Sequence, residues 1–292
     1  MRSRRFTSVG GAVAAAALTM GSLVVAPTAA GGQTTNPFER GPAPTAASVT
    51  AQRGPFAISQ QTVTGSTALG FNRGTIYYPT ATDLGTFGAI AVSPGFVSPE
   101  AWIAWLGPFL ASNGFVVVTL ETFSGFDFPN SRADQLQAAL DYLVRQSPVR
   151  SRIDPSRTGV IGHSMGGGGT LEAARDNPDL DAAVALQPWD IFVNFGTVRV
   201  PTAIVGAQND IIAGVTGHSE PFYEQIPAAS EKSYVEVAGA DHFLGNSFNA
   251  TQARQVLSWF KRYVDDDTRY SQFLCPPPSG PTIVEYRNTC PT

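Results

Sequence analysis

Short apolar runs alternate with helical patterns along most of the chain, and this alternation constrains the fold more than any other feature. Gly88-Ala-Ile-Ala-Val92 and Phe115-Val-Val-Val-Thr-Leu120 are continuous apolar stretches. Strands buried on both faces read this way, because neither face has water to meet. Thr158–Gly162, Ala182–Leu186, Thr202–Gly206 and Ser233–Val237 have the same character, and Gly74–Tyr78 reads as a strand stopped by Pro79. Between them, Leu136, Ala139, Leu140, Leu143 and Val144 share one helical face, as do Val256, Leu257, Phe260 and Val264. The implied class is α/β, with a mostly parallel central sheet flanked by helices on both sides. In such sheets a site gathers at the carboxyl ends of the strands. The residues that follow each apolar run are therefore the ones that matter.

The first thirty residues stand apart from this pattern. Arg2, Arg4 and Arg5 precede an Ala- and Gly-rich apolar stretch from Val9 to Val25, and Thr28-Ala29-Ala30 supplies small residues for cleavage. Residues 1–30 are expected to be a secretory signal peptide, which makes the mature protein extracellular. Ser3-Arg4-Arg5-Phe6 also contains a twin arginine. No later apolar run reaches the roughly 18 residues of a membrane span. Residues 31–54, rich in Gly, Thr, Ala and Pro, read as a flexible entry segment, and 55–292 as one domain. The formal charge of the 292 residues is −4, and loss of three arginines with the leader makes the remainder more acidic. Nucleic acid is therefore not an expected partner. Two cysteines are too few for a disulfide-dense scaffold or a Cys-rich zinc site.

The strongest motif is Gly162-His163-Ser164-Met165-Gly166, a match to G-x-S-x-G. It follows one apolar run and precedes a plausible helix, which is the strand–turn–helix setting that exposes a nucleophilic serine. Ser164 is the expected nucleophile. The free N–H groups of the helix start face a developing oxyanion. Three histidines exist: 163, 218 and 242. His163 reads as a packing residue and His218 as a surface or rim residue. His242, late in the chain after Ser233–Val237, suits the order Ser…Asp…His and is the expected base. Asp210, directly after Thr202–Gly206, is the favoured acid, with Asp190 and Asp241 as alternatives. The Met165 N–H and, from Ser93-Pro94-Gly95-Phe96, the Phe96 N–H are the expected oxyanion donors.

Ser93-Pro-Gly-Phe96, Ser131-Arg-Ala-Asp-Gln-Leu136, Gly162-His-Ser-Met-Gly-Gly-Gly-Gly-Thr170, Gln187-Pro-Trp189 and Ala240-Asp-His-Phe243 carry more than a generic motif. With Asp265–Cys275 and Glu285–Cys290, they make residues 36–292 resemble the actinobacterial cutinases and polyester hydrolases. The resemblance implies an α/β-hydrolase fold without a lid. It implies a secreted serine ester hydrolase acting on cutin, on aromatic polyesters such as poly(ethylene terephthalate), and on short acyl esters, with no cofactor. Ser164, Asp210 and His242 fall on the family's triad, and Phe96 and Met165 on its oxyanion donors. Phe96, Trp189, Ile212 and Phe243 fall on cleft positions. A lipase or general carboxylesterase without polymer activity, and a non-catalytic binding protein of the same fold, are the alternatives.

Some positions depart from the family. The loop Glu121–Pro129 carries extra Phe in place of a Thr-rich version, and Asp190 replaces a His after Trp189. Many relatives bind calcium through carboxylates; the matching positions here are Gln208, Ala238 and Glu285, and one carboxylate is too little for a cation that wants six to eight oxygens. No metal site is expected. In an exported chain Cys275 and Cys290 are expected to form one disulfide, worth about 3 kcal/mol on a chain-entropy account. Asn249-Ala-Thr251 fits a glycosylation sequon. A monomer is the default expectation.

Overall fold

The computed structural model describes residues 36–290 apart from 67–68 and 192–193, together with positions 7 and 10. The expected signal peptide thus lies almost wholly outside the described residues. Continuous apolar runs become buried strands. Every residue of β3 (Phe87–Ser93), β6 (Ala182–Leu186), β7 (Thr202–Ala207) and β8 (Lys232–Val237) is buried. With β4 (Phe115–Glu121) and β5 (Ile153–His163) they form the parallel middle of one sheet. The order is β1-β2-β4-β3-β5-β6-β7-β8-β9, and β1 (Ile58–Ser66), β2 (Phe71–Pro79) and β9 (Ile283–Asn288) join antiparallel.

Period-two alternation splits each central strand between two cores. In β4, Val116, Val118 and Leu120 face the core under α3 (Pro129–Arg145), α4 (Met165–Asp176) and α5 (Ser219–Gln225). Phe115 and Val117 face the opposite core, under α1 (Ala46–Val49), α2 (Leu106–Ser112) and α6 (Ala250–Tyr263). The predicted helical stripes are the buried ones: Leu136, Ala139, Leu140 and Leu143 on α3, and Val256, Leu257 and Phe260 on α6. Asn249 caps α6, its Oδ1 accepting the N–H groups of Thr251 and Gln252.

The compact unit runs Asn36–Thr292 and includes residues 36–54, read above as a flexible entry. Val49 is fully buried, Asn36 Nδ2 donates to the Asp265 carbonyl at 2.8 Å, and the Gly54 N–H donates to Ser112 Oγ at 2.8 Å. A few anchors hold a segment whose composition alone suggested none. Cys275 and Cys290 form the expected disulfide. It closes the segment that ends in β9, whose register with β8 pairs Val235 with Tyr286. No helix among the described residues is long and apolar enough to cross a membrane.

Candidate active site

The sheet brings three strand ends together. Ser164 sits between β5 and α4 at φ +56°, ψ −119°, a left-handed conformation that non-glycine residues avoid. The turn is held from both sides: the Ser164 N–H donates to the Leu186 carbonyl at 2.9 Å, and the Ser164 carbonyl accepts from Gly168 and Trp189 at 2.9 Å. The motif's glycines are there for close approach. A Cβ on Gly162 would collide with the Gly166 backbone, and one on Gly166 with the carbonyls of Ser93 and Pro94.

His242 opens a short 3-10 turn after β8, and Asp210 follows β7, the strand beside it. His242 Nδ1 lies 2.8 Å from Asp210 Oδ2, and Nε2 lies 2.9 Å from Ser164 Oγ. A carboxylate can only accept, so Nδ1 carries the proton and Nε2 is free to accept from the serine hydroxyl. The other Asp210 oxygen accepts from Ile212 N at 2.8 Å and Ala213 N at 2.7 Å. Burial alone would raise this carboxyl, but His242 and these two N–H groups outweigh it and hold it below the ordinary value. The competing acids are engaged elsewhere. Asp241 caps its own turn, accepting the Phe243 N–H at 2.9 Å, and Asp190 accepts the Ile191 N–H at 2.7 Å.

His163 is buried beneath His242. Its Nε2 donates to the His242 carbonyl at 2.7 Å, and the two rings lie 5.0 Å apart. Burial, with His242 second, pushes His163 down to about 4, so it is a neutral prop near pH 7. His218 stacks on Trp189 at 6.4 Å and meets Phe222 edge-on at 5.7 Å. It is half-buried.

Large apolar side chains surround the serine. Phe96, Ile212 and Phe243 are each about half exposed, and Trp189 is half-buried. The departing loop after β4 adds Phe126 against Phe96 (5.4 Å) and Phe128 against Trp189 (6.3 Å). The Ser93–Phe96 loop lies against Ser164: a Cβ on Gly95 would stand 3.0 Å from Ser164 Cβ. Met165 is the first residue of α4, so its N–H has no helical partner.

Reading the sequence for chemistry passed over Arg132. It is fully buried on α3, with its guanidinium among the main-chain carbonyls of Pro94, Gly125 and Asp127. Burial pushes it down to about 10, still charged at neutral pH. The signal was present: Arg132 stands four residues before Leu136, on the apolar stripe where a charge has no ordinary reason to be.

The sequence as a whole matches known proteins. A family model described as PETase, PET hydrolase-like, covers residues 32–291. The chain belongs to the PET hydrolase-like family. It is 52% identical over 290 residues to the bis(hydroxyethyl) terephthalate hydrolase of Streptomyces coelicolor, covering 99% of this chain and 92% of that one. Cutinase 1 of Thermobifida cellulosilytica is 51% identical over 88% of this chain and 99% of its own. A cutinase of Thermobifida fusca is 49% identical over 96% and 93%. The α/β-hydrolase fold of the family is the fold described above.

Two of the three positions matched above to calcium ligands, Gln208 and Ala238, carry no carboxylate. Ala238 offers no side-chain oxygen, and Gln208 Oε1 already accepts the Gly239 N–H at 2.8 Å. Glu285 instead clusters with Glu220 and Glu236, their oxygens within 4.8 Å of one another. Arg287 runs through that cluster, pairing with Glu285 at 2.6 Å, Glu220 at 3.1 Å and Glu224 at 3.3 Å.

Proposed function

We propose that this chain is a secreted serine hydrolase that cleaves polyesters, cutin and aromatic polyesters such as poly(ethylene terephthalate) among them, as well as short acyl esters. Carboxylic ester hydrolysis is the activity named for its relatives. The observation that carries the serine mechanism is the unbroken line from Asp210 through His242 to Ser164, at 2.8 and 2.9 Å. His242 takes the proton as Ser164 Oγ attacks the ester carbonyl, and Asp210 steadies the imidazolium. The N–H groups of Phe96 and Met165 receive the oxyanion. His242 then protonates the leaving alcohol, and water, activated by the same base, releases the acyl-enzyme. These steps need no cofactor.

The half-exposed Phe96, Ile212 and Phe243 favour an open, apolar cleft. Such a surface suits a chain lying on an insoluble polymer, since buried apolar area is worth roughly 25 cal/mol per Å². The wild type is expected to hydrolyse p-nitrophenyl butyrate and to release soluble acids from cutin and from a poly(ethylene terephthalate) film. Ser164→Ala is expected to lower kcat at least about 1,000-fold. Retained activity would refute the nucleophile, and tributyrin hydrolysis with no release from any film would refute the polymer substrate.

A further inference from the structure

We propose that Arg132 is a positioning residue for the oxyanion hole: one buried guanidinium holds the peptide groups on both sides of Phe96 and so aims the Phe96 N–H. The proposal rests on reading Phe96 and Met165 as the oxyanion donors. Ahead of Phe96, Arg132 Nη1 donates to the Pro94 carbonyl at 3.0 Å and fixes the peptide that enters Gly95. Beyond Phe96, the Val97 N–H donates to the Gly125 carbonyl at 2.8 Å. That same carbonyl accepts from Arg132 Nη2 at 3.0 Å. A third bond, from Nε to the Asp127 carbonyl at 2.8 Å, ties the far side of the loop.

The brace is needed because the backbone it holds is strained. Val97 has φ +51°, a left-handed conformation that a β-branched residue rarely adopts. Freed from Gly125, Val97 would relax toward an ordinary conformation and rotate the neighbouring Phe96 peptide. The two loops are in direct contact, since a Cβ on Gly125 would lie 3.0 Å from the Val97 Cα. A planar guanidinium can serve three carbonyls in fixed directions at once, whereas an ammonium is a point charge with no such fork. The neighbouring Gln135 completes the arrangement: it accepts the Phe123 N–H and donates to Asp127 Oδ2, both at 2.9 Å. Arg132 therefore acts through main chain, without standing in the path of substrate.

The test compares wild type, Arg132→Lys and Arg132→Met on p-nitrophenyl butyrate, with kcat and KM separated. It adds the rate at which a p-nitrophenyl alkylphosphonate, whose P=O oxygen occupies the oxyanion position, phosphonylates Ser164 and releases p-nitrophenolate. For Arg132→Met, kcat and the phosphonylation rate are expected to fall about 10- to 100-fold with KM within about twofold. Arg132→Lys should fall in between. Folded variants that keep both rates within about twofold, losing only thermal stability, would overturn the brace. A wild-type measurement guards against variants that do not fold: the Val97 amide, in an exposed loop, is expected to exchange with solvent far more slowly than an unbonded loop amide, and fast exchange would also overturn it. Ser164→Ala separates the two levels, because turnover surviving that change refutes the serine reading and not merely the brace.

Discussion

The two ends of β5 are built on opposite principles. At its start, Arg157 is buried and pairs with Asp265 at 2.7 Å and Asp154 at 3.1 Å, while Lys261 meets the other Asp265 oxygen at 2.7 Å. The Arg157 guanidinium also covers the Phe38 ring at 4.1 Å. At the other end, seven residues after Arg157, Ser164 opens a turn whose neighbours Val97 and Gln187 share its left-handed backbone, at φ +51° and +39°. The buried cation there, Arg132, donates to main-chain carbonyls, with the Asp127 carboxylate acting on it only at a distance. Carboxylates cancel a buried charge and fasten elements together; carbonyls leave the charge in place and use it to shape loops. One end is arranged for stability, and the other holds strain that the rest of the fold must support.

Substitutions at the two ends should therefore separate activity from stability. The largest effect on turnover within this contrast is expected from Asp210→Asn, which lets the amide donate and so disfavours the productive His242 tautomer. Hydrolysis of p-nitrophenyl butyrate should fall about 1,000- to 10,000-fold, while the melting temperature moves by only a few degrees. A fall of less than tenfold would mean that Asp210 does not orient the histidine. At the opposite end, Asp265→Ala leaves the buried Lys261 without its carboxylate and Arg157 with Asp154 as its remaining acid. Removing one partner of a buried pair costs about 3–5 kcal/mol, so calorimetry should record a melting temperature lower by roughly 10 °C. Its kcat at 25 °C should match wild type; a large kcat loss in folded protein would erase the division between the ends.

The smallest effect concerns Glu172, buried on α4 beside Asp190. Burial first, and Asp190 second, push its carboxyl up to about 7. A carboxyl raised in the folded state adds stability below its unfolded value near 4.5 and loses that contribution as pH rises through 7. Glutamine does not titrate. The melting temperature of Glu172→Gln relative to wild type should thus climb by a few degrees between pH 5 and pH 8. A flat difference across that window would show that the carboxyl ionises without strain. His163 works in the opposite sense: its depressed value makes folding lose stability as pH falls from about 6.5 towards 4.

The central strands were legible because a strand covered on both faces has to be apolar throughout. The outer strands β1 and β9 were not, since Ile-Ser-Gln-Gln-Thr-Val-Thr-Gly-Ser and Ile-Val-Glu-Tyr-Arg-Asn are half exposed and carry polar side chains. The elbow at Ser164 could be read locally, as glycines on either side of a serine between strand and helix. Arg132 was visible as an anomaly on an apolar stripe, but its role depends on Pro94, 38 residues away.

The sequence by itself determined the layered α/β class, the place of Ser164 between strand and helix, and the chain order of the acid and histidine that follow it, because each is written in short-range periodicity and motif. Only the tertiary structure decided which acid reaches the histidine. Asp190, Asp210 and Asp241 all follow strands; local pattern favours Asp210, directly after its strand, but cannot join it to His242. The sheet sets β7 beside β8, which brings Asp210 to His242 across 32 residues, while Asp241 turns back to cap its own helix turn. Strand order is settled by packing between distant segments, and that packing also carries Arg132 to the loop around Phe96.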